Sequence, residues 1–263
     1  MRHVLAAFRR STHARQAYCL LFHPDEELAL EIPLGRFVSF DYVAPEPRKA
    51  QAFYSTLFGW TSQPYVAPLA MTDAPQTAHW LPLLQTPNAH DSASKAKLLG
   101  GTMLREPYKK DGRGKQAIAL DPTGNAIALW EPIQVNADKH WTGSPGAICW
   151  AELYTKSPTA AGAFYKQLGG FTETKTIVAD ETPYHLYERD GLPRAGARRP
   201  MPEMPCGWFA WVRVNDVDRI VGHAFRLGAK VTRAPMDMCH GSRMALLRDP
   251  FGAALGLIGG PIG

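Results

Sequence analysis

AFYSTLFGW (residues 52–60) and AFYKQLGGF (residues 163–171) are two copies of one pattern, and they lie 111 residues apart in the chain. The same offset relates the longer segments 37–60 and 148–171. Each segment opens with alternating apolar residues and continues with apolar residues at helical spacing, so each predicts a strand followed by an amphipathic helix. A match that keeps its register over this length indicates an internal repeat.

A second pair of blocks repeats at an offset of 128 residues. Its later copy contains VNDVDRIVGHAFRLGAKV (214–231) and RDPFGAALGLI (248–258), and the turn Asp249-Pro250 falls on Asp121-Pro122. Because 128 exceeds 111, the first copy is shorter than the second by about 17 residues between its blocks. The sequence therefore predicts a duplicated domain whose first copy is reduced.

Turn and cap residues indicate where the elements of each block begin and end. Pro47 suits the first turn of a helix, and Gly59 stands where a helix needs its terminal glycine. In the later block, Asp216 is placed to cap a helix that ends at Gly228, and three strands follow, with the Asp249-Pro250 turn before the last. The predicted unit is β-α-β-β-β, used four times with variations.

This order of motifs resembles the vicinal oxygen chelate superfamily, the glyoxalase and bleomycin-resistance fold, in its two-domain bacterial form. The resemblance implies an α+β protein built from a tandem repeat of glyoxalase-like domains. In each domain, paired βαβββ motifs would form a cup-shaped mixed sheet with the helices outside. We expect a first domain over residues 35–135, shortened by about 17 residues, and a second over residues 145–260.

Residues 1–34 precede the repeat and are predicted to be an extension, with Ala17–Phe22 and Leu28–Ile32 able to form a hairpin. The first 24 residues contain arginines and no acidic residue, so an organellar targeting segment is an alternative. No apolar stretch approaches the roughly 20 residues of a membrane span. The four cysteines form no CxxC pair, which indicates reduced thiols in a cytoplasmic protein.

The resemblance also implies where a divalent metal would bind, namely to side chains on three strands of each cup. By motif position these residues are Ser39, Leu81 and Ala128 in the first domain and Trp150, Phe209 and Gly256 in the second. None of these side chains is a usual ligand for such an ion. We therefore expect no metal site and no cofactor, with displaced metal ligands as the alternative.

Strand alternation predicts that the second cup is lined mainly by rings, which suits a planar or partly apolar ligand. Glu152 is the candidate catalytic residue, because an inward carboxylate is costly to bury unless it is paired or used. Each aromatic residue could equally be an ordinary core residue, and Arg213 could extend to water. The candidate ligand-binding residues are Trp150, Tyr154, His185, Tyr187, Phe209, Trp211 and Arg213.

In the first cup, Asp41 and His79 share a strand face and could act as an acid–base pair, although this cup is shortened. The Lys109–Lys115 cluster and Arg198–Arg199 are interpreted as solvated loops without the interleaved aromatics of a nucleic-acid surface. The net charge of +5 is likewise spread along the chain. We expect a small-molecule ligand, no nucleic-acid or membrane partner, and a monomer or homodimer.

Three functions stay open at this point. The first is a small-molecule binding protein that works without a metal, by sequestration or as a sensor. The second is a lyase, isomerase or dioxygenase that uses displaced metal ligands or metal-free acid–base catalysis. The third is a partner-binding protein whose cups are filled by its own side chains.

Overall fold

The computed structural model describes residues 35–61, 65–68, 78–110, 112–133, 143–177, 183–189, 191–201, 204–238 and 241–260, with only the backbone at 65–68 and 176–177. The expected extension over residues 1–34 lies outside the described residues. Among the residues described, no helix is both long and apolar enough to cross a membrane.

Two mixed sheets make up the fold. The elements of the first are β1 (Phe37–Ala44), α1 (Pro47–Phe58), β2 (Tyr65–Pro68), β3 (His79–Gln85), α2 (Ala89–Leu98), β4 (Thr102–Lys110), β5 (Gly114–Leu120) and β6 (Ala126–Pro132). The second contains β7 (Ile148–Tyr154), α3 (Pro158–Gly169), β8 (Thr172–Ile177), β9 (Pro183–Arg189), β10 (Leu192–Arg198), β11 (Gly207–Arg213), α4 (Val217–Arg226), β12 (Lys230–Asp237), β13 (Arg243–Arg248) and β14 (Ala254–Gly259).

Local sequence accounts for the helix ends. Gly59 and Gly170 follow α1 and α3 with φ of 74° and 69°, the left-handed conformation that glycine adopts without a steric penalty. The Asp216 side chain accepts from the backbone N–H of Arg219 and caps α4, as its position predicted. Glu46 and Ser157 occupy the corresponding positions before α1 and α3 but make no side-chain cap bond, and a proline opens each of those helices.

The strand orders show how the first domain differs from the second. In the described residues the first sheet runs β2-β1-β3-β6-β5-β4 and the second runs β12-β13-β14-β11-β7-β10-β9-β8. β7 pairs in parallel with β10, the third strand after α3, whereas β1 pairs in parallel with β2, the first strand after α1. β2 therefore takes the place of β10, and no described strand of the first sheet corresponds to β8 or β9. This difference accompanies the shorter spacing of the first repeat.

A continuous core lies between the two sheets. Alternate residues of both sheets and the buried faces of all four described helices belong to one apolar cluster. β3 contacts β11 across it, α1 contacts α4, and α2 contacts α3. The opposite face of each sheet is turned away from this core, and we call these two faces the first cup and the second cup.

The two halves are joined by a reciprocal pair of tyrosine–aspartate hydrogen bonds. Tyr54 on α1 donates from its hydroxyl to Oδ2 of Asp249 at 2.6 Å, and Tyr42 donates to the same oxygen at 2.5 Å. In the other direction, Tyr165 on α3 donates to Oδ2 of Asp121 at 2.9 Å. Tyr54 and Tyr165 are equivalent positions of the repeat, as are Asp121 and Asp249, so each half binds a helix of the other through one hydrogen bond between side chains.

Each of these aspartates also organises its own Asp-Pro turn. Oδ1 of Asp249 accepts from the backbone N–H groups of Phe251, Gly252 and Ala253, at 2.8–2.9 Å. Oδ1 of Asp121 accepts from the N–H groups of Thr123 and Asn125. One carboxylate therefore fixes the turn before the last strand and holds a helix of the opposite half.

We predict that Tyr165→Phe lowers the free energy of unfolding by about 1–3 kcal/mol, because a buried carboxylate oxygen loses its phenolic donor. Urea unfolding followed by circular dichroism measures the change. Tyr54→Phe is the matched variant and should cost less, because Tyr42 still donates to Asp249. Unchanged stability in Tyr165→Phe would show that the bond does not join the halves.

Candidate functional site

The second cup brings together five of the residues predicted to line it. Trp150, Glu152 and Tyr154 alternate along β7, and Phe209 and Trp211 alternate along the adjacent β11. Trp211 lies directly opposite Trp150, and Phe209 lies directly opposite Glu152. The four rings belong to the two apolar clusters of this cup, and all five side chains are buried.

Glu152 is the polar centre of this surface. Its Oε2 accepts from the Tyr154 hydroxyl at 2.9 Å and from the Trp211 indole N–H at 2.7 Å. Burial raises the pKa of the Glu152 carboxyl above its usual value, although the positive charge of Arg198 and hydrogen bonds from neighbouring rings act in the opposite direction. A carboxyl group of this kind can exchange a proton nearer neutral pH than an exposed glutamate can.

Two further cup residues were not among the predicted site residues. Tyr184 on β9 accepts from the indole N–H of Trp150 at 3.0 Å, and its ring lies over Gly196, where a Cβ would approach the hydroxyl to 1.9 Å. Arg198 ends β10 and is only 3% exposed, so its interpretation as a solvated loop residue is wrong. The alternation of small residues in LPRAGAR (192–198) could have indicated this burial. Ala195 and Ala197 pack into the core, so Arg198 lies on the opposite face of β10, which is the cup face.

His185 and Tyr187 lie on the opposite face of β9 from the second cup. His185 pairs with Glu173 of β8, whose carboxylate lies beside α3, and Tyr187 belongs to the core between the sheets. The cup side of this strand carries Tyr184 and Leu186 instead. Alternation correctly placed the two predicted residues on one face, but that face packs under the helix.

Methionines lie over the apolar part of the second cup. Met201 and Met204 are half-buried and pack against both clusters of cup residues, and Met238 packs against the cluster that contains Trp150 and Trp211. Methionine side chains are unbranched and flexible, so they fit against surfaces of different shape. This is the part of the described cup that can rearrange at the lowest cost.

Two polar groups lie where β7 begins and β11 ends. Arg213, at the end of β11, is half-buried and donates to the carbonyl of Gly260 at 2.7 Å. Partial desolvation lowers its pKa from the usual value. Beside it, burial raises the pKa of Cys149 to about 12, so this thiol stays protonated and unsuited to nucleophilic attack.

The residues of the second cup do not provide the ligands with which the family binds a divalent metal. Gly256 stands at the position of the carboxylate ligand, and a Cβ there would lie 2.3 Å from the Trp211 ring. Trp150 and Phe209 supply only rings at the other two positions. Among the described residues, no group of three or more His, Cys, Asp or Glu side chains is arranged to hold an ion.

In the first cup, the Asp41 carboxylate forms a buried ion pair with Lys110 and accepts from the side-chain amide of Gln116 at 3.1 Å. Lys110 is therefore an exception to the solvated basic cluster predicted over Lys109–Lys115. His79 is exposed at the start of β3 and lies opposite Val43, whereas Leu81 lies opposite Asp41. The acid–base role of Asp41 and His79 stays a prediction.

The family positions in the first cup are occupied by Ser39, Leu81 and Ala128. Leu81 and Ala128 belong to an apolar cluster that also contains Trp130, and Ser39 is buried. These side chains do not form a metal-ligand set either.

Comparison with known proteins defines the class. Residues 147–257 match the family model described as Glyoxalase/Bleomycin resistance protein/Dioxygenase superfamily. This part of the chain belongs to that superfamily, which confirms the resemblance predicted from the repeated motifs. The match spans β7 to β14, the sheet that carries Glu152.

Two curated relatives extend the similarity over most of the chain. "Putative glyoxylase CFP32" of Mycobacterium bovis is 25% identical over 245 residues, which cover 83% of this chain and 92% of the relative. "Anthracycline biosynthesis protein DauV" of Streptomyces sp. (strain C5) is 28% identical over 258 residues, which cover 83% of this chain and 91% of the relative.

Solved structures confirm the fold class. The Mn(II)-bound glyoxalase from Novosphingobium aromaticivorans aligns with a TM-score of 0.57 at 15% identity, covering 86% of this chain and 83% of that one. The 2,2',3-trihydroxybiphenyl 1,2-dioxygenase from Sphingomonas wittichii strain RW1 aligns with a TM-score of 0.59 at 11% identity, covering 87% and 91%. The chain has the predicted α+β fold of two glyoxalase-like repeats.

We predict that Glu152→Gln becomes more stable relative to the wild-type protein as the pH rises from 4.5 to 8. Folded Glu152 retains its proton to higher pH than the unfolded chain does, so the wild type loses stability through this range, by at most about 1.4 kcal/mol per pH unit. Urea unfolding at several pH values measures the difference. A difference that does not change with pH would mean that Glu152 titrates normally.

Proposed function

We propose that the protein binds a small, partly planar molecule in its second cup and that it does so without a divalent metal. The observation that carries this proposal is the packing of Trp211 over Gly256. An indole ring occupies the space in which the family's last metal ligand would stand. Trp150, Tyr154 and Phe209 surround it with further flat surfaces, which favour ligands that stack.

The relatives give the proposal a chemical direction. DauV is named for anthracycline biosynthesis. Anthracyclines contain an anthraquinone, which is a flat system of three fused rings. A cup floor of indole and phenol rings suits such a ring system. We propose the anthraquinone scaffold as the first class of ligand to test.

A ligand would enter on the side covered by methionine. The rings of the cup floor are buried against one another and against Met201 and Met204, so a ligand has to displace these methionines. The rings lose their contacts with the methionine side chains and gain stacking contacts with the ligand, so the buried apolar area stays about the same. Binding is therefore expected to move the Met201 and Met204 side chains and to leave the strands of the sheet in place.

One observation favours metal-free catalysis as a second candidate function. Glu152 is a buried carboxyl group with a raised pKa inside the proposed ligand site, which is the environment of a general acid or base. Turnover of a bound ligand that disappears in Glu152→Gln would support an enzyme. Binding without turnover in both proteins would support the binding function alone.

We predict that Trp150→Ala weakens the binding of 2-methylanthraquinone at least tenfold, because the ligand loses a stacking surface worth about 1.5 kcal/mol or more. Quenching of tryptophan fluorescence, checked by calorimetry, measures the affinity. Trp130→Ala makes the same truncation in the first cup and should leave the affinity unchanged. Weakening by Trp130→Ala alone would place the ligand in the first cup and contradict the proposal.

Because Trp150→Ala removes a buried ring, Trp150→Phe provides a milder test. It keeps a flat surface and loses the hydrogen bond to Tyr184, so we expect intermediate affinity. Thermal melts of each variant show that it is folded. If no planar probe binds the folded wild-type protein, the filled-cup function is favoured instead.

We further predict that removal of metal leaves this affinity unchanged. Extended dialysis against a chelator, followed by elemental analysis and a repeated titration, makes the measurement. Loss of binding that returns on addition of one equivalent of a divalent ion would contradict metal-independent binding.

A further inference from the structure

The two oxygens of the Glu152 carboxyl group have different surroundings. Oε2 accepts hydrogen bonds from the Tyr154 hydroxyl and the Trp211 indole N–H, and the Tyr184 hydroxyl also hydrogen-bonds to the carboxyl group. The Tyr154 and Trp211 donors come from neighbouring strands and fix the orientation of the carboxyl group. Oε1 is buried and has no hydrogen-bond partner among the described residues.

An unpartnered buried acceptor is costly. Leaving such a group without a donor costs about 1–3 kcal/mol, and more when it carries charge. Nearby polar atoms do satisfy one another, since the Trp150 indole N–H donates to the Tyr184 hydroxyl. Oε1 is therefore the atom of this carboxyl group that a ligand can satisfy.

We infer that the ligand of the second cup carries a neutral hydroxyl or N–H group on its ring and donates it to Oε1 of Glu152. This inference rests on the proposed function, because it assumes that the second cup is the binding site. It narrows the ligand class from planar molecules in general to planar molecules with a hydroxyl or N–H group on the ring that can donate a hydrogen bond to Glu152.

The charges around Glu152 favour a neutral donor over a cationic one. Arg198 on β10 is buried and acts electrostatically on the Glu152 carboxyl group, so a cationic ligand would meet its positive charge. The other faces of the carboxyl group are formed by apolar or neutral rings of β7, β9 and β11. A neutral aromatic alcohol or amine fits both the rings and the single acceptor.

Proton binding to Glu152 should then oppose ligand binding. Oε2 already accepts two hydrogen bonds, so a proton on the carboxyl group resides on Oε1 and removes the acceptor that the ligand needs. The titratable or charged groups that face Glu152 are Tyr154 on its own strand, Tyr184 on β9 and Arg198 on β10, and β11 contributes the neutral Trp211. Among these, Glu152 is the group whose pKa burial raises toward neutral pH.

Two matched probes test the inference in the wild-type protein. 2-Aminoanthraquinone offers a neutral N–H donor, and 2-methylanthraquinone has a similar shape without one. We expect the amino probe to bind about tenfold more tightly at pH 8, and this preference to shrink as the pH falls to 5. Isothermal titration at several pH values provides both measurements.

Glu152→Gln provides the second test. Its amide oxygen can accept from Tyr154 and Trp211, which turns the amide NH₂ toward the ligand, so a donor on the ligand meets another donor. The ratio of the affinities for the two probes should therefore fall to about one at every pH. Glu188→Gln, on β9 of the same sheet, is the control and should retain the preference.

The outcomes separate this inference from the proposed function. Equal binding of both probes to the wild-type protein, at all pH values, would overturn the inference and leave the binding function standing. Failure of both probes to bind the wild-type protein would overturn both. If Glu152→Gln does not fold, the probe preference and its pH dependence in the wild type still decide the matter.

Discussion

The reciprocal tyrosine–aspartate hydrogen bonds between the two halves are the interaction on which the rest of the architecture depends. Each Asp-Pro turn precedes the last strand of its own sheet, and each binds a tyrosine on a helix of the other half. Burial raises the pKa of Tyr54 and of Tyr165, so both phenols keep the protons that they donate. The sheets are thereby held back to back, and each cup faces away from the shared core.

The two cups have diverged from one duplicated plan. Asp41 and Glu152 are equivalent positions of the repeat, and both are buried carboxylates on the cup face of an opening strand. In the first cup a lysine neutralises the carboxylate, whereas in the second it is held by ring donors and its pKa is raised. The same position thus holds a carboxylate paired with a lysine in one half and a carboxyl group with a raised pKa in the other.

Aromatic packing occupies the ligand positions that the family resemblance implies for the second cup. A glycine at position 256 lets the Trp211 ring lie against β14, and this ring in turn donates to Glu152. The Trp211 ring therefore fills the space beside position 256 and also orients the Glu152 carboxyl group. A carboxylate side chain at position 256 would collide with the ring, so the two arrangements exclude each other.

The sequence by itself determined the duplication, the shortening of its first copy, the superfamily, and the cup residues of β7 and β11. Two repeated blocks and strict alternation carry that information. The prediction of four β-α-β-β-β units is wrong for the first unit, in which β2 is the only described strand between α1 and β3. Only the tertiary structure decided which face of β9 lines the cup, that Arg198 is buried, and that Lys110 is the partner of Asp41. Alternation divides a strand into two faces without saying which one meets a helix, and in β9 both faces carry rings. Asp41 on β1 and Lys110 on β4 are separated by three strands in the sheet, so their ion pair depends on how the folded sheet curves around the cup.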